Sequence, residues 1–118
     1  MDGVLLLAHG SRAPESARTM EKIAEMTREK LPGRLIQVAF MQFSDVNIKK
    51  GLSLLLERGA TKVKVVPYFL FDGIHIREDI PNELAAFKET HPGIDITLAG
   101  TLGADERLAQ IVAERIEG

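Results

Sequence analysis

Cysteine and tryptophan are absent from this sequence, and aromatic residues of all kinds make up only 5 % of it. The lack of cysteine excludes a disulfide scaffold, thiolate metal sites and cysteine nucleophiles. It suits a reducing compartment, and we expect a cytoplasmic protein. Because aromatic rings are so few, the core must be built mainly from aliphatic side chains.

A strong net charge and long apolar runs are missing as well. The net charge is −2 at pH 7, so we expect no general attraction to nucleic acid or to acidic membranes. The apolar run at residues 4–8 is too short to cross a bilayer, and the N-terminal segment lacks the basic flank of a signal peptide. A chain of 118 residues fits one domain, which we place at residues 1–118.

Short apolar runs alternate with longer amphipathic segments along the chain. Four strands are predicted at residues 3–8, 35–40, 62–70 and 94–99. Four helices are predicted at residues 14–31, 46–58, 80–90 and 104–116. Pro81 should lie in the first turn of the third helix. The helical residues expected to face the core are Met20, Ile23, Ala24, Thr27, Leu31, Ile48, Leu52, Leu55, Ile80, Leu84, Phe87, Leu108, Ile111, Val112 and Ile116.

This alternation predicts an α/β fold in which a four-stranded parallel sheet carries helices on both faces. We expect a single flavodoxin-like domain with strand order 2-1-3-4. The direction of the connections then reverses between the first and third strands. Ligands of open α/β sheets bind at such a crevice, beyond the carboxyl ends of the strands.

Two of the three histidines fall at that predicted crevice. His9 follows the first strand and His75 follows the third, on the loops beside the crevice. His91 follows the third helix, at the opposite end of the sheet, and should be a surface histidine at a helix C-terminus. Imidazole is a common metal ligand and exchanges protons near neutral pH. His9 and His75 therefore predict a site for metal binding or proton transfer.

Glycine, polar and charged residues accompany the two histidines. Glycine permits sharp turns and the close approach of a bulky ligand, and the start of the first helix favours anions. The alternatives are ordinary turns for the glycines, a helix cap for Ser11 and solvated surface positions for the arginines. Asp45 and Asp105 are expected to cap helices. The residues predicted to contact a ligand are Gly10, Ser11, Arg12, Gln42, Gly73, Ile74 and Arg77.

Several classes of function lack their motifs in this chain. No Gly-x-Gly-x-x-Gly follows the first strand, and no Walker phosphate loop is present, which disfavours dinucleotide and nucleoside triphosphate sites. Ser11 is not surrounded by a nucleophile elbow, so acyl transfer is also disfavoured. The residues alone indicate an α/β domain with a two-histidine site that binds a metal or moves a proton.

Longer motifs run in order along nearly the whole chain. They are Leu-Leu-Leu-Ala-His-Gly-Ser-Arg at 5–12, Phe-Met-Gln-Phe-Ser-Asp at 40–45, Val-Val-Pro-Tyr-Phe-Leu at 65–70, Gly-Ile-His at 73–75, Asp-Ile-Pro at 79–81 and Leu-Gly-Ala-Asp at 102–105. With this spacing the chain resembles the small sirohydrochlorin cobaltochelatases, a branch of the class II chelatases. Relatives often carry Glu where this chain has Gln42, so the resemblance supports no acidic role there.

The resemblance implies a chelatase that inserts cobalt or nickel, with iron as a further candidate, into sirohydrochlorin. It implies that His9 and His75 are the functional histidines, that the metal is a substrate, and that no cofactor is tightly bound. Larger relatives carry two such domains, so the resemblance also implies a homodimer. Two other classes stay open: a non-enzymatic carrier of metal or tetrapyrrole, and a flavodoxin-like phosphate or flavin binder, which His9 disfavours.

Overall fold

Strands and helices alternate without exception in the computed structural model, which describes residues 1–118 apart from the side chain of His75. The four strands are parallel and lie in the order β2-β1-β3-β4, which confirms the predicted sheet. The elements are β1 (Asp2–Ala8), α1 (Pro14–Lys30), β2 (Leu35–Phe40), α2 (Ile48–Glu57), β3 (Lys62–Pro67), α3 (Ile74–Thr90), β4 (Asp95–Leu98) and α4 (Glu106–Glu117).

Strand β1 lies at the centre of the sheet because its side chains are apolar on both faces. Leu5 and Leu7 pack under α2 and α3, in a core that includes Leu52 and Ile80. On the opposite face, Val4, Leu6 and Ala8 pack under α1 against Met20 and Ala24. The prediction of helices on both faces is therefore confirmed.

The bounds of all four helices differ from the predicted ones, and at the starts of α2 and α4 polar side chains supply the caps. Helix α2 begins after Asn47, whose side chain accepts the Lys50 backbone N–H at 2.9 Å. The prediction that Asp45 caps this helix is therefore wrong. Asp105 caps α4 as predicted, by accepting the Arg107 backbone N–H at 2.9 Å.

Helix α3 begins at Ile74, six residues before the predicted start at residue 80. Pro81 therefore lies inside the helix, and its predicted place in the first turn is wrong. Proline inside a helix costs a backbone hydrogen bond. Here Ile76 and Ile80 pack against the core, and this burial stabilises the turns before the proline. Ile74, residue 75 and Arg77 consequently lie in the first turns of α3, not in a loop as predicted.

Strand β3 ends at Pro67, three residues before the predicted end at residue 70. Proline has no N–H to donate to a neighbouring strand, which favours the end of the ladder at this point. The next N–H, that of Tyr68, donates to the carbonyl of Leu7 at 2.7 Å. Residues 68–73 then leave the sheet toward its carboxyl edge.

Helix α4 contradicts the prediction that its apolar stripe faces the core. Ile111, Val112 and Ile116 are 46 %, 58 % and 78 % exposed, and none of the twelve residues of α4, all of them described, is buried. An apolar periodicity indicates that a helix face can be covered, but not which surface covers it. None of the helices in the described chain is long and apolar enough to cross a membrane.

Candidate functional site at the carboxyl edge of the sheet

His9 stands at the crevice between β1 and β3, where the sequence places it. It directly follows β1 and its side chain is exposed. The imidazole ring lies against the ring of Phe69, with 4.2 Å between the ring centroids and 44° between the planes. Phe69 is only 4 % exposed, so a buried residue after β3 supports the imidazole from below. The crevice thus presents a supported imidazole to solvent.

Gly10 turns the chain sharply after His9. Its φ is +87°, a conformation that L side chains rarely adopt, and a Cβ atom there would overlap the backbone carbonyl oxygen of Gln42. The Gln42 backbone N–H also donates to the carbonyl of His9 at 3.1 Å. This close approach holds the loop after β2 against the loop after β1. Backbone geometry therefore requires glycine at position 10, and the predicted contact of Gly10 with a ligand stays a prediction.

A surface pocket of about 160 Å³ lies between these loops and the start of α1. Ser11 does not cap the helix, because Ala13 is the N-cap and makes no side-chain cap bond. Instead the Ser11 hydroxyl accepts the Ala13 backbone N–H at 3.2 Å and lies 2.9 Å from the Ser16 hydroxyl. Hydroxyl groups and the start of a helix favour an anion in such a pocket.

Arg12 forms one rim of this pocket. Its guanidinium carbon lies 5.0 Å from the centroid of the Phe43 ring, a distance typical of a cation–π contact. Phe43 is 54 % exposed and has a φ of +59°, in the left-handed region. The contact leaves the edge of the guanidinium free for a planar acidic group.

The other side of the crevice is apolar and open. Leu70, Phe71 and Ile74 are exposed to 54 %, 77 % and 72 % after β3. An open cavity of about 570 Å³ lies between this segment and residues 101–104. Gly73 has an ordinary φ of −94°, and a Cβ atom there would meet nothing within 4 Å. The steric need for glycine that applies at position 10 is therefore absent at Gly73.

The remaining predicted residues divide by position. Gln42 and Arg77 are exposed at or near the carboxyl edge. The side chain of His75 lies outside the described residues, and its backbone belongs to the first turn of α3. His91 caps the C-terminus of α3: its ring stacks on that of Phe87 at 4.0 Å, and its Nδ1 atom lies 3.1 Å from the Phe87 carbonyl oxygen. The prediction of a surface role for His91 is confirmed.

Metal ligands are sparse in the described part of this edge. Among the side chains that the structure describes, no three His, Asp or Glu residues are grouped closely enough to hold a metal ion. His9 is the predicted ligand whose side chain is described, so an ion bound there needs donors from beyond this set. An exposed imidazole with few protein partners suits transient binding better than permanent storage.

Two residues of the site were not predicted from the sequence. Phe69 supports His9 and Phe43 contacts Arg12. A signal for Phe43 is present, because it is a large apolar residue between polar neighbours in a segment without strand or helix periodicity. The role of Phe69 depends on where β3 ends, and the sequence prediction placed residue 69 inside that strand rather than in the segment after it.

These features define a class: a doubly wound α/β domain with a ligand site at the topological switch of an open parallel sheet. The model of the CbiX family matches residues 3–118. The chain belongs to the CbiX family.

Relatives of two lengths are similar to this chain. The sirohydrochlorin cobaltochelatase of Methanopyrus kandleri is 34 % identical over 137 residues, which cover 99 % of this chain and 96 % of the relative. The sirohydrochlorin ferrochelatase of Priestia megaterium is 33 % identical over 116 residues, which cover 98 % of this chain but 44 % of the relative. With the chloroplastic ferrochelatase of Arabidopsis thaliana, 52 % of the relative is covered, so the chain spans about half the length of these longer relatives.

Solved structures show the same two sizes. A CbiX protein from Marinobacter aquaeolei VT8 superposes with a TM-score of 0.79 at 30 % identity, covering 99 % of this chain and 95 % of that one. The sirohydrochlorin chelatase SirB from Bacillus subtilis subspecies spizizenii, in complex with cobalt, superposes with a TM-score of 0.89 at 26 % identity. That match covers 98 % of this chain and 50 % of SirB. The chain therefore has the α/β fold of these CbiX and SirB proteins and matches half the length of SirB.

Proposed function

We propose that this chain inserts a divalent metal ion into sirohydrochlorin. The observation that carries the proposal is the exposed imidazole of His9 at the switch crevice of a CbiX-family fold. Relatives named as cobaltochelatases and as ferrochelatases are both similar to this chain. Cobalt, nickel and iron are all candidate metals, because imidazole binds each of them and affinity alone does not select among them. The ion is a substrate.

His9 has two tasks that one neutral imidazole can perform in turn. Insertion removes two protons from pyrrole nitrogens and transfers the ion to the macrocycle. A neutral imidazole can bind the ion or accept a proton, and Phe69 keeps the His9 ring in place for either step. We assign His75 as the second functional histidine, since its backbone follows the loop on the other side of the crevice.

The two sides of the crevice suit the two parts of the tetrapyrrole. Its peripheral carboxylates match Arg12, Ser11 and the start of α1, with Arg77 and Gln42 further along the edge. Its flat macrocycle matches the exposed apolar residues Phe71 and Ile74, with Gly73 between them in the chain, while Gly10 borders the pocket of Arg12. The carboxylates and the ring surface of the substrate therefore each have matching side chains at this edge.

We further propose a homodimer in which two copies supply two lobes. The chain spans about half the length of the longer relatives, with 44 % and 52 % of their sequences covered. Two carboxyl edges facing each other would enclose the macrocycle between them.

The expectations of a cytoplasmic location and of no tightly bound cofactor stay predictions.

The test is an absorption assay with sirohydrochlorin, cobalt and the purified chain at low concentration. We expect the spectrum of the metallated product to grow well beyond one equivalent per chain and faster than without protein. A spectral change that stops at one equivalent would contradict an enzyme and support the carrier hypothesis. No change with cobalt, nickel or iron would contradict both.

A further inference from the structure

Phe43 is held in a backbone conformation that costs free energy. Its φ is +59°, and among the non-glycine residues that the structure describes it is the one with a positive φ. The left-handed region is unfavourable for every residue with a Cβ atom, and a bulky aromatic residue is rarely found there. The ring is 54 % exposed, so burial in the core does not explain the conformation.

Hydrogen bonds on both sides of Phe43 fix the chain in this conformation. Before it, the Gln42 backbone N–H donates to the carbonyl of His9 at 3.1 Å. After it, the Val46 backbone N–H donates to the Ser44 hydroxyl at 3.1 Å. The loop between β2 and α2 is therefore anchored before and after the strained residue. Strained conformations that their surroundings impose in this way concentrate at ligand sites.

The conformation places the Phe43 ring against the guanidinium group of Arg12. The guanidinium carbon lies 5.0 Å from the ring centroid. An arginine side chain that is free in solvent samples many rotamers and loses that freedom when it binds a ligand. Stacking on an aromatic ring restricts these rotamers in advance, while the planar edge with its N–H donors stays available. The ring thus orders the guanidinium before a ligand arrives.

Arg12 has no acidic partner in the part of the chain that the structure describes. The ion pairs described there all involve other arginines. Arg12 and Phe43 line the pocket of about 160 Å³, together with Ser11 and Ser16. A guanidinium edge that faces a polar pocket and lacks a carboxylate from its own chain fits a carboxylate from a ligand.

We propose that Phe43 is a positioning residue: its ring holds the Arg12 guanidinium ready for a carboxylate of the tetrapyrrole. This inference rests on the proposed function and adds a residue that acts through Arg12 rather than on the reacting atoms. Affinity rises because an ordered side chain loses less conformational freedom on binding. The strained backbone at residue 43 thus lowers the stability of the fold and raises the affinity for the substrate.

The first test is an absorption titration of the metal-free protein with sirohydrochlorin. Phe43→Ala should raise the dissociation constant about three- to tenfold, as for loss of a cation–π contact. Arg12→Ala should raise it at least about tenfold, since a charged hydrogen-bond donor is lost. Phe43→Tyr keeps the ring and should stay within about twofold of the wild type. A Phe43→Ala variant with wild-type affinity would overturn the proposal.

A double-mutant cycle shows whether the ring acts through Arg12. In a chain that already carries Arg12→Ala, the change Phe43→Ala should alter the dissociation constant less than about twofold, because the group that it positions is gone. A further loss as large as in the wild-type background would overturn the positioning role. It would show that the ring contacts the tetrapyrrole directly.

The comparison of Phe43→Gly with Phe43→Ala separates the ring from the backbone strain. Both variants lack the ring and should bind sirohydrochlorin with similar affinity. Only glycine adopts this φ without strain, so Phe43→Gly should unfold at a urea concentration about 0.5 M above that of Phe43→Ala. An alanine variant at least as stable as the glycine variant would contradict the strain and overturn that part of the proposal.

The binding tests and the insertion assay fail separately. In turnover, Phe43→Ala should raise KM for sirohydrochlorin and leave kcat nearly unchanged, since a carboxylate anchor contributes equally before and during the reaction. A chain that shows the expected binding pattern but inserts no metal would refute the function and leave the role of Phe43 standing. An active chain whose Phe43 and Arg12 variants bind like the wild type would refute that role and leave the function standing.

Discussion

Among single residues, Gly10 has the most sharply defined geometric role. An added methyl group meets both a φ of +87° and the Gln42 carbonyl. We expect Gly10→Ala to lower the free energy of unfolding by about 3 kcal/mol, combining left-handed strain of about 1–2 kcal/mol with the steric overlap. Urea unfolding measures this change.

Gly33→Ala is the matched control for that variant. Gly33 has a similar φ of +91°, but a Cβ atom there would meet nothing within 4 Å. It should lose only the strain of about 1–2 kcal/mol. Equal losses in the two variants would contradict the role of the Gln42 contact.

The three histidines should differ in their effect on metal insertion, because two are assigned to the site and His91 is not. His9→Ala should lower the rate of metal insertion at least tenfold, and His75→Ala at least as much, with urea midpoints near that of the wild type. His91 lies at the end of α3 and stacks on Phe87. His91→Ala should keep at least half of the wild-type rate. Loss of activity in the His91 variant alone would reverse the assignment.

Glu83 offers a residue-scale test of pH dependence. Partial burial raises the pKa of its carboxyl group, and the negative charge of Asp79 raises it further. A raised pKa means that the native state binds this proton more tightly, so Glu83 loses its stabilising contribution as the pH rises. We expect Glu83→Gln to be more stable than the wild type at pH 7 by about 0.2–0.5 kcal/mol, as for relief of a like-charge i,i+4 pair.

The measurement is thermal unfolding of both proteins between pH 3 and pH 8. The difference should disappear as the pH falls below the usual glutamate range, about 4.3. A difference that persists at pH 3 would show that charge is not its cause.

Residue identity and position along the chain were enough to predict that His9 and Gly10 lie at the carboxyl edge of the sheet and that His91 lies at the opposite end. They were not enough for Phe69, because the predicted third strand ran to residue 70, whereas β3 ends at Pro67 and Phe69 lies in the following segment against His9. They also led to the wrong cap for α2, because Asp45 and Asn47 are both good capping residues two positions apart.

At the scale of elements, the start of α2 gives a direct test of that correction. Asn47→Ala removes the acceptor for the Lys50 N–H and should destabilise the fold by about 1 kcal/mol. Asp45→Ala should change stability by less than about 0.5 kcal/mol, as for an ordinary surface substitution. Chemical denaturation of the two variants side by side decides which residue is the cap.

Strands and their order were predictable because each one is a short apolar run between turn signals. The start of α3 was not, because Pro81 is a strong signal for a first turn, and the burial of Ile76 and Ile80 outweighs it. The exposure of α4 was not predictable either. Its sequence is amphipathic, but the residues of a helix do not specify which surface covers its apolar face.

For the whole molecule, the α/β architecture followed from alternation and right-handed connections alone. The elongated shape, 50 × 33 × 27 Å, did not, since it arises from one connection, residues 99–105, which is held at the carboxyl edge. An apolar stripe in the sequence shows that a helix has a face to be covered. The length and anchoring of the connection before the helix decide whether the covering surface belongs to the same chain.

The same connection has a further consequence through Phe69. This residue contacts the ring of His9 at 4.2 Å, and its carbonyl accepts the N–H of Leu102 at 2.9 Å. One buried residue therefore joins the two, since its side chain contacts the imidazole and its backbone carbonyl holds the segment that precedes α4. By thermodynamic linkage, any change of that segment on assembly that alters metal affinity at His9 must be matched by an equal effect of the metal on assembly. The measurable consequence for the proposed homodimer is that added cobalt shifts the dimerisation constant by the same factor as dimerisation shifts the affinity for cobalt.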